Sequence, residues 1–349
     1  MGICSHSSKW IDAGYSFNIS IGSPPQEVEV YLDISSPDSW VTPATLPNRG
    51  RVCRNASVFD TDASSTFLAS GIPAHFSSGW LWGRGNLSYD TIGYGGVAAE
   101  HQAFAVPDFL WSDSYIFNAC PMAGVIGLAP FHSRRAKDDF GKPSPFITMV
   151  HQNALENNLF ALRLREPAEL SFGRLNHTLF QGDFLAKVRL TRNLSSIWDG
   201  GWQTTASYLA LEEWDASKSF RSDLGDVPAT FSTRSPTIHL PEPVYDRVFA
   251  ASGCASVNGP WLPPAVDCSN RLGMPNITFN FAGQNVTLTA FDYTIPWYLE
   301  PGMPDCTCMF TTSSGFDWSN EIVLGWAFMR KFYSVFDLDD GSIRFAALS

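Results

Sequence analysis

Asp33 ends the apolar run Val30-Tyr31-Leu32 and enters a small-residue turn, Ile34-Ser35-Ser36, ahead of Trp40-Val41. A carboxylate held at such a turn can work as a general acid or base, most effectively beside a second carboxylate that shares its proton. About two hundred residues on, the pattern returns as Thr230-Phe231-Ser232-Thr233-Arg234-Ser235, followed by Ile238-His239-Leu240-Pro241. Each copy reads as an apolar strand, a polar turn and a second apolar strand. Each is answered downstream by an apolar run ending in glycine, Gly124-Val125-Ile126-Gly127-Leu128 and Ile322-Val323-Leu324-Gly325-Trp326. One such unit per half marks a duplicated, two-lobed protein. The second copy carries Ser232 where the first carries Asp33, and a serine hydroxyl does not titrate near neutral pH.

Other chemistry fits these residues less well. A Ser232/His239/Asp33 triad would need His239 against Ser232, which seven residues along adjoining strands do not provide, and no Gly-x-Ser-x-Gly turn is present. His239 reads instead as a satisfied, partly buried histidine. Cys306-Thr307-Cys308 lacks Cys-x-x-Cys spacing and paired histidines, so neither a metal nor any other cofactor is expected.

The elements that would carry these turns follow from pattern. From Tyr15 to Val41 the chain alternates strand, Gly-Ser-Pro-Pro turn and strand. Residues 73–98 read as a hairpin with its tip near Gly79 to Gly85, carrying Trp80 and Trp82. Helical spacing starts at Pro145 and continues to Leu155, and a short helix is expected from Pro243 to Ala251. Phe160–Leu164 and Glu169–Gly173 read as strands. Residues 1–9 read as a polar tail, 10–173 as the first lobe and 174–349 as the second.

Of the 349 residues, 44% are hydrophobic, 14% aromatic and 16% charged, with 27 glycines and 23 prolines as punctuation. That mixture suits an all-β chain of many short strands. A net charge of −11 argues against nucleic acid and against a polybasic membrane anchor. No apolar run is long enough to span a bilayer, and Met1-Gly2-Ile3-Cys4 has no apolar leader core. Seven Asn-x-Ser/Thr sequons, at Asn18, Asn55, Asn86, Asn176, Asn193, Asn276 and Asn285, point to the secretory pathway. The expectation is a natural protein made with a leader, its end compatible with a removed tail or anchor.

Further motifs carry a resemblance. Ile19-Ser20-Ile21-Gly22-Ser23-Pro24-Pro25-Gln26 leads to Asp33 through Val41. Ser64-Ser65-Thr66-Phe67 and Tyr89-Asp90-Thr91 follow, and the chain closes on Val335-Phe336-Asp337-Leu338-Asp339 and Ile343-Arg344-Phe345-Ala346. In this order, over about residues 10–347, they resemble the pepsin-like aspartic proteases, in a degenerate, fungal-type, secreted or membrane-anchored form. The resemblance implies a bilobal fold of two related β-barrel lobes with a central cleft and few short helices. It also implies that two Asp-Thr-Gly turns should meet. Here the turns read Asp33-Ile34-Ser35 and Ser232-Thr233-Arg234. Ile34 removes a hydroxyl that braces the turns in the family, while Thr233 keeps its half. Ser35 and Arg234 replace glycines, and Ser78 falls where the flap tyrosine belongs. Arg234 reads either as a solvated surface arginine or as a cleft-floor residue paired with Asp33, and Trp80 is expected at the cleft, with one of Trp80 and Trp82 packed inward. Cys254, Cys268, Cys306 and Cys308 resemble the family's second-lobe disulfide with one bridge added, their three pairings open. Cys53 and Cys120 are left for the first lobe, and Cys4 is odd.

The reading is therefore a monomeric pseudo-protease, secreted or on the outer face of the cell membrane. It would act by binding an unknown protein, peptide or polysaccharide, and would have no catalytic residue. The competing reading is an unorthodox aspartic endopeptidase using Asp33 with an unidentified partner.

Overall fold

In the computed structural model, residues 2–6, 10–47, 57–78, 81–112, 123–131, 140–192, 200–212, 219–256, 264–296, 305–312 and 320–349 are described. The chain is mostly strand, with a few short helices. It divides into two compact units, one of residues 1–161, 168–175 and 197–202, the other of 162–167, 176–196 and 203–349. The expected boundary at 173/174 is thus crossed several times, because short segments of each half join the other unit.

The first unit is built on eight strands: β1 (Gly2–His6), β2 (Trp10–Ile21), β3 (Gln26–Asp33), β4 (Trp40–Val41), β5 (Leu68–Ser78), β6 (Leu81–Tyr94), β7 (Val97–Ser112) and β8 (Gly124–Gly127). Their order across the sheet is β1-β2-β3-β8-β4-β7-β6-β5. Residues 1–9, expected as a polar tail, include β1, which pairs with β2 from Gly2↔Ser16 to His6↔Trp10. Such a strand is held by backbone N–H and C=O groups, which polar residues supply as well as apolar ones. The expected hairpin also differs. β5 and β6 pair from Leu68↔Tyr89 to Ser78↔Leu81, and Gly85 lies inside β6 opposite Ala74, not at the tip. A Cβ on Gly85 would overlap the backbone of Val106 and Pro107, so glycine serves strand approach here and no turn.

Two apolar clusters brace this unit. Tyr31, Trp40, Phe76, Leu81, Leu110 and Val125 pack together, with Trp40 stacked on Phe76 at 5.3 Å between ring centroids. Helix α1 (Pro145–His151) is capped by Ser144, whose Oγ accepts the Ile147 amide and donates to the Ala129 carbonyl. It buries Phe146 against Phe160, at 5.1 Å, and Phe160 meets Trp202 at 5.4 Å. The helix ends four residues before Leu155, where Asn153 takes φ 52°.

Next in the chain come β9 (Leu159–Arg163) and β10 (Glu169–Phe172). The second unit holds β11 (Phe180–Arg189), β12 (Gln203–Glu212), β13 (Phe220–Phe231), β14 (Ile238–Leu240), β15 (Ala265–Val266), β16 (Asn276–Phe281) and β17 (Gln284–Leu288). It continues with β18 (Thr294–Pro296), β19 (Cys306–Cys308), β20 (Phe310–Thr312), β21 (Ile322–Leu324), β22 (Phe332–Asp337) and β23 (Ser342–Leu348). Seven form the sheet β17-β16-β12-β13-β21-β14-β20, three form β15-β19-β18, and β22-β23-β11 pair side by side. Helix α2 (Glu242–Ser252), one residue longer at each end than expected, stops at Gly253 with φ 72°. Phe231, the last residue of β13, lies 5.5 Å from Phe345, 5.9 Å from Phe328 and 6.2 Å from Phe281, ring to ring. This cluster holds the chain immediately before Ser232.

Candidate functional site

The two turns are built alike. β3 runs parallel to β8, with Asp33 opposite Gly127, and β13 runs parallel to β21, with Phe231 opposite Leu324, one residue short of Ser232 and Gly325. In the first turn the Ser35 amide donates to Asp33 Oδ1 at 2.8 Å; in the second the Arg234 amide donates to Ser232 Oγ at 3.2 Å. Three residues past each position a serine repeats the motif: the Asp38 amide donates to Ser36 Oγ and the Thr237 amide to Ser235 Oγ, both at 3.2 Å. These are the side-chain-to-backbone turns that Asp and Ser favour.

The glycines that close the partner strands have a shared reason. A Cβ on Gly127 would overlap the carbonyl oxygens of Ser36 and Asp38, and one on Gly325 those of Ser235 and Thr237. Each glycine lets one turn's backbone lie directly against the partner strand. Backbone bonds seal the fit: Leu128 donates to the Asp33 carbonyl at 2.8 Å, and Trp326 to the Ser235 carbonyl at 2.9 Å. By strand register, hydrogen bonding and glycine placement, Ser232 stands in the second unit where Asp33 stands in the first.

Their chemistry differs. Asp33 is 2% exposed, and its Oδ1 takes a second hydrogen bond from the Ser35 hydroxyl at 2.7 Å. Both donors converge on one carboxylate oxygen; glycine at residue 35 would keep the amide bond but not the hydroxyl one. Ile34 and Thr233 are buried, and Arg234 is half-buried. The expectation of Ser35 as a bare glycine replacement missed this bond. Its signal in the sequence is a hydroxyl two residues after an acid in a tight turn.

A comparison with known proteins bears on these turns. Residues 14–348 match the family model described as eukaryotic aspartyl protease. The chain belongs to that family. It is similar to vacuolar protease A of Aspergillus fumigatus, 27% identical over 97% of this chain and 79% of that one. It is similar also to pepsin A of Gallus gallus, 24% identical over 98% of this chain and 86% of that one. A third relative is a vacuolar aspartic protease of Candida albicans, 27% identical over 97% of this chain and 76% of its own.

Within this aspartyl protease scaffold, His239 and Trp40 hold matching places: each is seven residues past its turn's first position, opposite Val323 and Val125 respectively. His239 Nε2 lies 2.7 Å from Ser235 Oγ and 3.2 Å from Thr237 Oγ1. Burial pushes its imidazole down to about 4. The Nε2 atom thus serves a hydroxyl pair of its own turn.

Ser78 ends β5; Trp80 lies outside the described residues, as do Cys53, Cys120, Asn55 and Asn193. Trp82 is on β6 and 45% exposed. The four second-unit cysteines pair as Cys254–Cys308 and Cys268–Cys306. Two disulfides fit an extracellular or lumenal compartment. Asn18, Asn86, Asn276 and Asn285 are exposed and Asn176 is half-buried. Asn176 Oδ1 accepts both the amide and the hydroxyl of Thr178, at 3.1 and 2.7 Å. Among the described residues no helix is long and apolar enough to cross a membrane.

Proposed function

We propose that this aspartyl protease homologue is a glycoprotein without peptidase activity, secreted or held at the outer face of the cell, that binds a protein, peptide or glycan partner. The observation that carries the reading is Ser232 in the place equivalent to Asp33. The family's reaction uses two carboxylates that exchange one proton between base and acid roles. A hydroxyl offers no second site for that proton near neutral or acidic pH. The Ser35 hydroxyl on Asp33 Oδ1 supports the same conclusion, since it fixes the remaining acid as a hydrogen-bond acceptor within its own turn. Asp33 then serves its own turn, and neither turn supplies the second carboxylate that cutting needs.

The test is incubation with unfolded protein substrates from acidic to neutral pH, together with binding of a pepstatin-type inhibitor. The reading expects neither cleavage nor acid-dependent inhibitor binding. Cleavage that disappears in Asp33→Ala overturns it. A second reading draws support from relatives named as proteases along almost the whole chain: Asp33 working with an unidentified partner as an endopeptidase. That reading expects both cleavage and inhibitor binding.

A further inference from the structure

We propose that Asn86 carries an N-linked glycan whose first sugars lie along the outer face of the β5–β6–β7 sheet, over Phe109, Trp82 and Trp111. Three rows of side chains define that face. Strand register places Pro73, Asn86 and Val106 abreast, then His75, Arg84 and Phe109, then Ser77, Trp82 and Trp111. Along β6, Trp82, Arg84 and Asn86 are exposed, whereas Leu81, Gly83, Gly85 and Leu87 between them are buried. The period of two therefore puts the acceptor asparagine on the same side as the exposed indole.

The face is unusually aromatic for a surface. Trp82 is 45% exposed and Trp111 41% exposed. The Trp82 ring lies 6.0 Å from Trp111 and 5.2 Å from Phe109, tilted against each. Contiguous exposed aromatics of this kind mark a contact surface. Arg84, between Asn86 and Trp82, keeps its guanidinium 5.6 Å from the Phe109 ring and 3.5 Å from Asp108. Aromatic rings take the C–H faces of sugars, while a guanidinium and a carboxylate serve their hydroxyls. Asn86 and Trp82 are four residues apart, about 13 Å along a strand, so a chain of a few sugars reaches the indoles. The occupant needs no separate encounter, because the sequon tethers it at the end of the platform.

Attachment bonds Asn86 Nδ2 to the anomeric carbon of an activated, lipid-linked oligosaccharide. The amide loses one proton, and the diphosphate leaves with the bonding pair of the broken C–O bond. Ser88, the sequon hydroxyl, is 1% exposed in the fold, so transfer precedes closure of β6 into the sheet.

The experiment uses the full chain made in a eukaryotic secretory host. Peptide mapping reads occupancy at Asn86, and hydroxyl-radical footprinting reads oxidation of Trp82 and Trp111. Oxidation of both indoles should rise severalfold in Asn86→Gln and stay unchanged in Asn18→Gln, which removes an exposed sequon on another strand. If Asn86→Gln is not secreted, trimming the native glycan to one sugar should produce the same rise. An unoccupied Asn86, or equal oxidation with and without the glycan, overturns the proposal. It is equally overturned if the attached glycan gives no protection while free N-glycan core oligosaccharide protects the Asn86→Gln protein, which would make the face a receptor for soluble sugar.

Discussion

Ser35 Oγ lies 2.7 Å from Asp33 Oδ1, the same carboxylate oxygen that takes the Ser35 amide at 2.8 Å. One residue thus clamps the acid twice, within a turn whose counterpart begins at Ser232. Returning a carboxylate at residue 232 leaves this clamp in place, along with Ile34 and Arg234. Catalysis of this type depends on geometry held to fractions of an ångström, and small misplacements cost about 100-fold. Ser232→Asp should therefore stay at least about 100-fold below an ordinary family member on an unfolded protein substrate. Turnover comparable to active relatives would show that the supporting residues matter less than argued.

Asp33 should matter for stability. Its side chain is buried and accepts two hydrogen bonds, so truncation leaves the Ser35 hydroxyl and amide without their acceptor. Losing a buried hydrogen-bond partner costs about 1–3 kcal/mol. Asp33→Ala should lower the unfolding free energy by that amount in denaturant titrations. A carboxylate kept for catalysis alone behaves oppositely, because its removal relieves a stability–activity conflict.

The two disulfides converge on one short strand, β19, from Cys254 beyond α2 and from Cys268 ahead of β16. They close sequence separations of 54 and 38 residues. Removing either pair as alanines should cost about 2–5 kcal/mol. Each bridge alone still anchors β19, so removing both should cost more than the sum of the two. Denaturant unfolding of the two double variants and the quadruple variant measures the excess; strict additivity would mean that the bridges stabilise separate regions.

Much of this arrangement was legible in the sequence because both turns repeat one pattern, apolar run, polar turn and later apolar-Gly strand. The need for Gly127 and Gly325 is visible in that pattern, and the structure supplies its cause in the crowded carbonyls. The strand β1 was not legible, because its pairing uses backbone groups that carry no residue signature. Gly85 misled for a related reason: glycine marks turns and close strand approaches alike, and its neighbours across the sheet decide which. The cysteine pairing also required the fold, since spacing leaves three connectivities open. The Ser35–Asp33 bond was hidden in a substitution that reads as a simple loss of glycine.

His239 should make the protein acid-sensitive. It stands where the first unit has the apolar Trp40, with Nε2 held by Ser235 and Thr237, and burial lowers its imidazole to about 4. An unfolded histidine titrates near 6.5, so between about pH 6.5 and 4 the unfolded chain binds one proton more than the folded one. Stability from this group is therefore fully present above about 6.5 and is lost as the pH falls toward 4. A gap of about 2.5 units corresponds to roughly 3 kcal/mol. His239→Asn keeps a hydrogen-bonding side chain but cannot titrate. Its stability at pH 7.5 should be equal to or below the wild type, while its loss between pH 7.5 and 4.5 should be smaller by about 2–3 kcal/mol. Denaturant unfolding at the two pH values for both proteins measures this difference. Parallel losses would mean that the imidazole charges in the folded state without cost, and that its burial does not govern how the second turn tolerates acid.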